Sequence, residues 1–344
     1  MENLRIGLLG AGVIAHRHAQ TIVRRVGLSV EAIADPSLKA RQDLKAAVPA
    51  IGRIVEYDSL DLMLNDISLD AVIISTPHFL HCEHACKSLE AGLHVMLEKP
   101  LAMTSSEARD IVSARDSAKK ILLVAYQRRY NPMYRWVRDA IGQGAIGELQ
   151  FVHALLCDNT ISTADDWRMK PELAGGGHPF DSGGHLFDFI LFASGLKPYK
   201  VNYFEANLGQ KIDVNATLAM EFAGGALASV GLVGNAPGRW IEEIDFFGSE
   251  GHISMKVSNY TGPLYPAVTL TDFDSRVHRI DNIPGQSEPD KNFRDAIVGA
   301  DSIWSPAEAG LNVLLLTEAA RESARQGKSC LVEYQEEPCG SDEK

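Results

Sequence analysis

Three short stretches of this sequence combine residue types and spacings that can do chemistry. Asp181 and His185 stand four residues apart at the start of a helical pattern over about 182–194, so they share one helix face. An imidazole is the side chain suited to take a proton near neutral pH, and a carboxylate beside it can orient the ring or bond a substrate. The pair follows three glycines, at 175–177. Far upstream, Gly10-Ala11-Gly12-Val13-Ile14-Ala15 matches the GxGxxG/A turn directly after a strand-like run. There Gly10 permits a tight turn, Gly12 lets the backbone approach a pyrophosphate, and Ala15 allows close packing of helix on strand. Asp35 stands 20 positions after Ala15, where a carboxylate bonds both ribose hydroxyls of NAD and repels the 2′-phosphate of NADP. Glu98-Lys99-Pro100 closes another strand-like run, and an ammonium at that edge would stabilise developing alkoxide charge. Plainer roles stay open for each: Asp181 as a helix N-cap, His185 as an ordinary helix histidine, Asp35-Pro36 as a turn, Lys99 as a surface lysine.

The elements that must position these groups fall into two textures. Up to residue 126, strand-like runs at 4–9, 30–34, 71–75, 94–97 and 121–125, with a weaker one near 53–55, alternate with helical patterns at 13–25, 37–47, 79–91 and 104–119. Continuous apolar runs alternating with helices predict a doubly wound parallel sheet covered on both faces, and Thr104-Ser105-Ser106-Glu107 fits a capping box. From 127 to 344 the pattern changes to strands following one another with few helices: 148–157, 199–207, 213–222, 225–233, 241–247, 251–257 and 266–271. Helices at about 182–194, 289–299 and 306–326 and a last strand near 330–334 complete an α+β domain with a large, mainly antiparallel open sheet. The fold class is therefore α/β, a Rossmann domain over 1–126 and a substrate-binding and oligomerisation domain over 127–344.

Composition narrows the function. With 45% hydrophobic and 23% charged residues the chain is globular, and 33 basic against 45 acidic residues give a net charge of −12. Such a chain is a poor general ligand for nucleic acid or anionic membranes. No apolar run approaches the roughly 18 residues that span a bilayer, and the N-terminus lacks a secretory pattern. Five cysteines with no CxxC pair point to a reducing compartment, the cytoplasm by default. Cys82 and Cys86 share a helix face, but His81 and His84 point elsewhere and no second ligand cluster lies near, so no metal is expected. GxSxG, HExxH and Walker loops are absent.

With these motifs in place, the chain resembles the glucose–fructose oxidoreductase/inositol dehydrogenase (Gfo/Idh/MocA) family. The resemblance rests on GAGVIA at 10–15, STPHFLH at 75–81, AGLHVMLEKPLA at 91–102, RRYNP at 128–132, DDWR at 165–168, AGGGHPFDSGGHLFD at 174–188 and NFRDAIVGA at 292–300. It implies that Lys99 is the catalytic lysine, beside a cis bond before Pro100, with Asp181 and His185 as its partners. It places Gly10, Gly12, Val13, Ile14, Asp35, Ser75, Thr76, Pro77, His81, Glu98 and Lys99 at the cofactor, and Trp167 and Arg168 near cofactor and substrate. His78 departs from the family, which usually has Asn after Thr-Pro, and this alters a contact near the nicotinamide ribose. Arg128, just past the last Rossmann strand, can face the same cleft; Arg129 is the weaker candidate and Asp188 a structural residue.

The implied reaction is oxidation of a secondary alcohol of a sugar, polyol or sugar derivative. His185 takes the hydroxyl proton, Lys99 polarises the oxygen, and carbon gives hydride to NAD, with NADP the lesser choice. Some relatives instead cleave or epimerise glycosides by transient oxidation, and others act as NAD-binding regulators. The resemblance also implies a homodimer or homotetramer, built on the open sheet face that the strands over 213–257 supply.

Overall fold

The computed structural model describes residues 3–24, 27–163, 167–236, 240–258, 267–281, 283, 285 and 287–334. The first sheet contains β1 (Leu4–Leu9), β2 (Leu28–Ala34), β3 (Val55–Tyr57), β4 (Ala71–Ile74), β5 (His94–Leu97) and β6 (Leu122–Val124), all parallel, in the order β3-β2-β1-β4-β5-β6. Helices α1 (Val13–Ile22), α2 (Leu38–Ala47), α3 (Leu60–Asp66), α4 (His81–Glu90) and α5 (Ser105–Ala118) connect them. The order reverses at β1 and β4, and that switch point opens the crevice where doubly wound sheets bind ligands. Central strands are apolar on both faces because helices cover both: Ile6, Val72, Ile74 and Val95 are fully buried. The expected capping box is formed, with Thr104 Oγ1 accepting from Glu107 N at 3.2 Å and the Glu107 carboxylate accepting from Thr104 N at 3.2 Å.

The second sheet is built after α6 (Pro132–Gly142). It contains β7 (Leu149–Cys157) and, beyond the helices α7 (Pro171–Ala174) and α8 (His178–Ser194), the strands β8 (Pro198–Ala206), β9 (Asn215–Phe222), β10 (Leu227–Val233), β11 (Ile241–Gly248), β12 (His252–Ser258), β13 (Ala267–Thr271) and β14 (Val277–Ile280). Helices α9 (Pro289–Ile297) and α10 (Ala307–Gln326) precede the short β15 (Cys330–Leu331). Among the described residues the sheet has nine strands, all paired antiparallel except β7 with β10. One face alternates inward against α6, α8 and α10. The rings of Tyr134, Phe189 and Phe246 meet edge to face at 4.7 and 6.0 Å, joining α6, α8 and β11. Each such buried ring contributes roughly 1.5–3 kcal/mol.

The chain then returns to the first sheet. Val124 N donates to Ser305 O at 3.0 Å on the outer edge of β6, and Phe293 on α9 is buried in the same core cluster as Ile6, Leu8 and Ile33. Helix α9 thus packs on the Rossmann unit although it lies late in the sequence.

Several elements differ from the sequence reading. Helix α8 begins at His178, four residues before the expected 182, with Gly177 at its N-cap position. Pro179 sits in its first turn, where a missing N–H costs nothing. Asp181 is therefore inside the helix and caps nothing. The third strand lies at 55–57 instead of 53–55, and α3, α7 and β14 were not foreseen.

Candidate functional site

A cavity of about 990 Å³ runs along the carboxyl ends of the Rossmann strands and reaches the first turn of α8. At its outer end, Gly10 adopts φ +93°, and a Cβ there would stand 2.8 Å from Ser75 O, so the turn between β1 and α1 tolerates only glycine. Gly12 precedes α1 with no side-chain cap on the helix. A Cβ at Gly12 would meet no protein atom within 4 Å and would stand in the cleft. Val13, 74% exposed, and Ile14 follow at the mouth. Unpaired N–H groups of a helix start facing open space make a site for a pyrophosphate.

Asp35 ends β2 at the same rim. Its Oδ2 accepts from Ala11 N and its Oδ1 from Ser37 N, each at 2.8 Å, so the carboxylate braces the glycine turn. Each oxygen retains a lone pair for a ribose hydroxyl. Arg41 beside it is held by the Asp35 carbonyl, by Glu56 at 3.3 Å and by Asp58 at 2.7 Å. Asp58 and Ser59, which follow β3, also line this end. These residues fit the ribose end of a dinucleotide.

The middle of the cleft is made by the segment after β4. Ser75, Thr76 and Pro77 line it, and the Thr76 hydroxyl bonds His84 Nδ1 at 3.1 Å. His78 is 4% exposed and its Nδ1 donates to Ala174 O at 2.7 Å, which leaves Nε2 as the acceptor. Burial dominates its titration, helped by His81 and Lys99 and opposed by Asp181, and lowers it to about 3, so the ring is neutral. Its edge meets Trp167 at 4.6 Å. His81 is fully buried, with Nδ1 on Pro100 O at 2.7 Å and Nε2 on Thr76 O at 3.0 Å. Both ring nitrogens of His81 thus face main-chain carbonyls of two cleft loops. Burial outweighs the two carbonyls and lowers its pKa as well, so the neutral ring donates to one carbonyl and only faces the other.

At the inner end, Lys99 follows β5 and precedes a cis peptide to Pro100. Its Nζ pairs with Asp181 Oδ1 and lies 3.3 Å from Asp181 O; both side chains are 15% exposed. Arg168 Nε reaches Asp181 Oδ2 at 3.2 Å. Burial alone would push the Asp181 carboxyl up, but Lys99, His78 and Arg168 outweigh it and hold it well below the usual carboxylate range. His185, one helical turn on, lines the same cavity edge-on to Tyr126 at 6.0 Å. The α8 start is set by Gly177, whose N donates to Asp213 Oδ1 at 2.7 Å and where a Cβ would collide with the Asp213 carbonyl. Trp167 and Arg168 line the inner end; Asp165 and Asp166 of the DDWR stretch lie outside the described residues.

One expected cofactor residue is elsewhere. Arg128 is buried against Glu242, with Nε to Oε1 at 2.9 Å and Nη2 to Oε2, and Tyr134 Oη donates to the same carboxylate at 3.0 Å. A guanidinium taken out of water is held best by a planar bidentate carboxylate, so Arg128 turns away from the cleft. Its neighbour Gln127 lines the cleft instead and donates to Glu98 Oε1 at 3.1 Å. Gln127, Asp58 and Ser59 all follow Rossmann strands, and that position was their only signal in the sequence. Ser182 and Trp240 also line the cavity; nothing in their local sequence marks them.

Fold and cleft together define a class, proteins that hold a dinucleotide across the carboxyl edge of a doubly wound sheet. The family within that class follows from comparison with known proteins. A model for the oxidoreductase family with an NAD-binding Rossmann fold matches residues 4–126, and one for the GFO/IDH/MocA C-terminal domain matches residues 134–254. The chain belongs to the Gfo/Idh/MocA oxidoreductase family, and its first domain is an NAD(P)-binding Rossmann domain. It is 30% identical to D-glucoside 3-dehydrogenase of Escherichia coli (strain K12) over 198 residues, 57% of this chain and 56% of the relative. The match thus spans little more than half the length of that relative. Inositol 2-dehydrogenase of Rhizobium meliloti (strain 1021) is 26% identical over 341 residues, 96% of this chain and 99% of the relative. The WlbA dehydrogenase of Bordetella pertussis, solved with NADH and UDP-GlcNAcA, shares the fold with a TM-score of 0.81 at 24% identity, covering 97% of this chain and all of that one (100%). Among the described residues, no helix is long and apolar enough to cross a membrane.

Proposed function

We propose that this protein is an NAD-dependent dehydrogenase that oxidises a secondary alcohol of a sugar, polyol or sugar derivative to the ketone. The observation that carries this reading is the Lys99–Asp181 pair at the inner end of the dinucleotide cleft, with His185 one turn away on α8. When bound, the nicotinamide supplies the redox chemistry by accepting hydride from the carbinol carbon. Lys99, its ammonium fixed by Asp181, holds the substrate oxygen and stabilises the negative charge that grows on it. His185 takes the hydroxyl proton, so the alcohol loses one proton to the protein and one hydride to the cofactor. Asp181 is charged throughout the working pH range and keeps the ammonium in place. Trp167 and Trp240 offer apolar ring surface to the C–H faces of a sugar.

Asp35 and Asp58 at the ribose rim support NAD over NADP, since Arg41 is already committed to carboxylates there. Residues 1–126 form the cofactor unit and 127–344 the substrate and assembly unit, which lends α9 back to the first. The open face of the nine-stranded sheet is the expected surface of a homodimer or homotetramer, and the four free cysteines described suit the reducing cytoplasm. The deciding experiment is a 340 nm absorbance screen of the purified protein with NAD⁺ and NADP⁺ against polyols, aldoses, sugar acids and amino sugars. NADH growth with one substrate group is the expected outcome. Silence across the panel, with NAD binding demonstrated separately, would replace net oxidation by a transient-oxidation or sensory role.

A further inference from the structure

We infer that His18 is a positioning residue for the Glu98–Lys99 segment, a buried clamp that ties the cleft wall carrying Lys99 to helix α9. His18 lies on the inner face of α1, 5% exposed, one turn beyond the glycine motif. Its Nε2 is 3.1 Å from Glu98 Oε1, and its Nδ1 is 2.9 Å from Asp290 Oδ1. Ionised carboxylates only accept hydrogen bonds, so a ring placed between two of them supplies both protons and carries a positive charge. Burial opposes that charge, but Asp290 and Glu98 outweigh it and push the ring up to about 10.

The Glu98 carboxylate is used on every side. Oε1 accepts from His18 and from Gln127 Nε2 at 3.1 Å, and Oε2 accepts from the backbone N of Lys99 at 3.3 Å. His81 and Lys99 also face Glu98, while Tyr130 faces Asp290. His18 does not itself line the cleft, and it reaches Lys99 only through the glutamate. Without the ring, two carboxylates would confront each other in a dry gap, and the segment that aims Lys99 would lose its anchor. Because the folded value lies above the ordinary 6.5, the stability contributed by the clamp is whole below pH 6.5 and is lost as pH rises through about 10.

The inference rests on the role proposed for Lys99, so the test includes readouts that need no substrate. In the full chain with ¹³C-labelled histidine, the His18 Cε1–H signal, assigned by its absence in His18→Gln, should stay at its protonated position from pH 6 to 8.5. A ring that titrates near the ordinary histidine value overturns the clamp. In cofactor-free protein, acylation of Lys99 read by peptide mass spectrometry should speed up several-fold in His18→Gln while other lysines keep their rates. Unchanged Lys99 labelling also overturns it. With the substrate from the screen, kcat should fall on the order of 10- to 100-fold while the Kd for NAD changes little. A KM rise at constant kcat would make His18 a binding or folding residue only. If His18→Gln does not fold, Asp290→Asn removes one partner without a cavity. It should bring the His18 titration down into the observable range and speed Lys99 labelling, and no change in either measurement overturns the proposal. Should Lys99→Ala prove fully active, the functional reading falls, while the resonance and labelling results still decide whether the clamp exists.

Discussion

Charge is handled in opposite ways in the cleft and in the seam behind it. In the cleft, Lys99 and Arg168 both close on Asp181, and solvent reaches all three side chains. In the seam, Arg128 with Glu242 and Arg129 with Asp188 are matched one for one; each arginine is 10% exposed and each acid 1%. Arg129 grips Asp188 with Nε at 3.1 and 3.0 Å and Nη2 at 2.7 Å, and spends Nη1 on Trp304 O at 3.1 Å. A dry matched pair adds little net stability over an apolar contact of the same shape, yet either member left alone is costly. It specifies how residues after β6 meet α8 and β11. Charges that water still reaches can instead exchange partners when a ligand enters. The same residue types therefore serve fixation in one place and chemistry in the other, and the difference lies in what remains available to a third partner.

Removing charge from each region should break different properties. The largest effect belongs to Lys99→Ala. Turnover should fall on the order of 10²–10⁴-fold, as for groups that act on a reacting proton or oxygen, while NAD affinity and the melting temperature hardly move. Initial rates and fluorescence titration check both halves, and a mainly lost fold would erase the contrast with the seam. Asp188→Ala should do the reverse. It strands a buried guanidinium and should cost about 3–5 kcal/mol in urea unfolding, with NAD affinity preserved in the fraction that stays folded. A cost under about 1 kcal/mol would place that pair among ordinary surface bridges. The smallest effect is expected at the ribose rim. Asp35→Asn retains an oxygen to accept from Ala11 or Ser37 but removes the charge. NAD should bind about 10- to 100-fold more weakly, matching the roughly 1.5–3 kcal/mol of a hydrogen bond to a charged group, and the gap to NADP should narrow. An unchanged ratio of the two dissociation constants would remove Asp35 from cofactor choice.

The cleft was more legible in the sequence than the seam because its determinants are local. Gly10, Gly12, Ala15 and Asp35 lie within one βαβ unit, and their spacing reports the turn directly. The capping box on α5 is equally local. By contrast, His18 and Asp290 are 272 residues apart and Arg128 and Glu242 are 114 apart, so nothing beside Arg128 says that a carboxylate waits inside β11. A polar residue on a buried helix face, as His18 is in α1, was the one hint available. Missed elements have equally specific causes. The edge strand β14, Val-His-Arg-Ile, is largely exposed and lacks apolar alternation. Helix α3 has only seven residues, and its start depends on Ser59 Oγ accepting from Leu62 N at 3.3 Å. The expected start of α8 was late because Gly-His-Pro reads as a break until Pro179 is seen to occupy the first turn.

The return of the chain to the first sheet sets a schedule for biosynthesis. Phe293 fills the core beside Ile6 and Leu8, and the 305–306 segment pairs with the outer edge of β6. A ribosome that has delivered the whole glycine turn and all six parallel strands has still not delivered these parts. Until Phe293 and the 305–306 segment have emerged, the nascent Rossmann unit exposes an apolar groove and an open strand edge, the features that invite chaperones or unwanted pairing. Completion of the nucleotide-binding half therefore waits for segments that follow the second sheet's main strands in the chain.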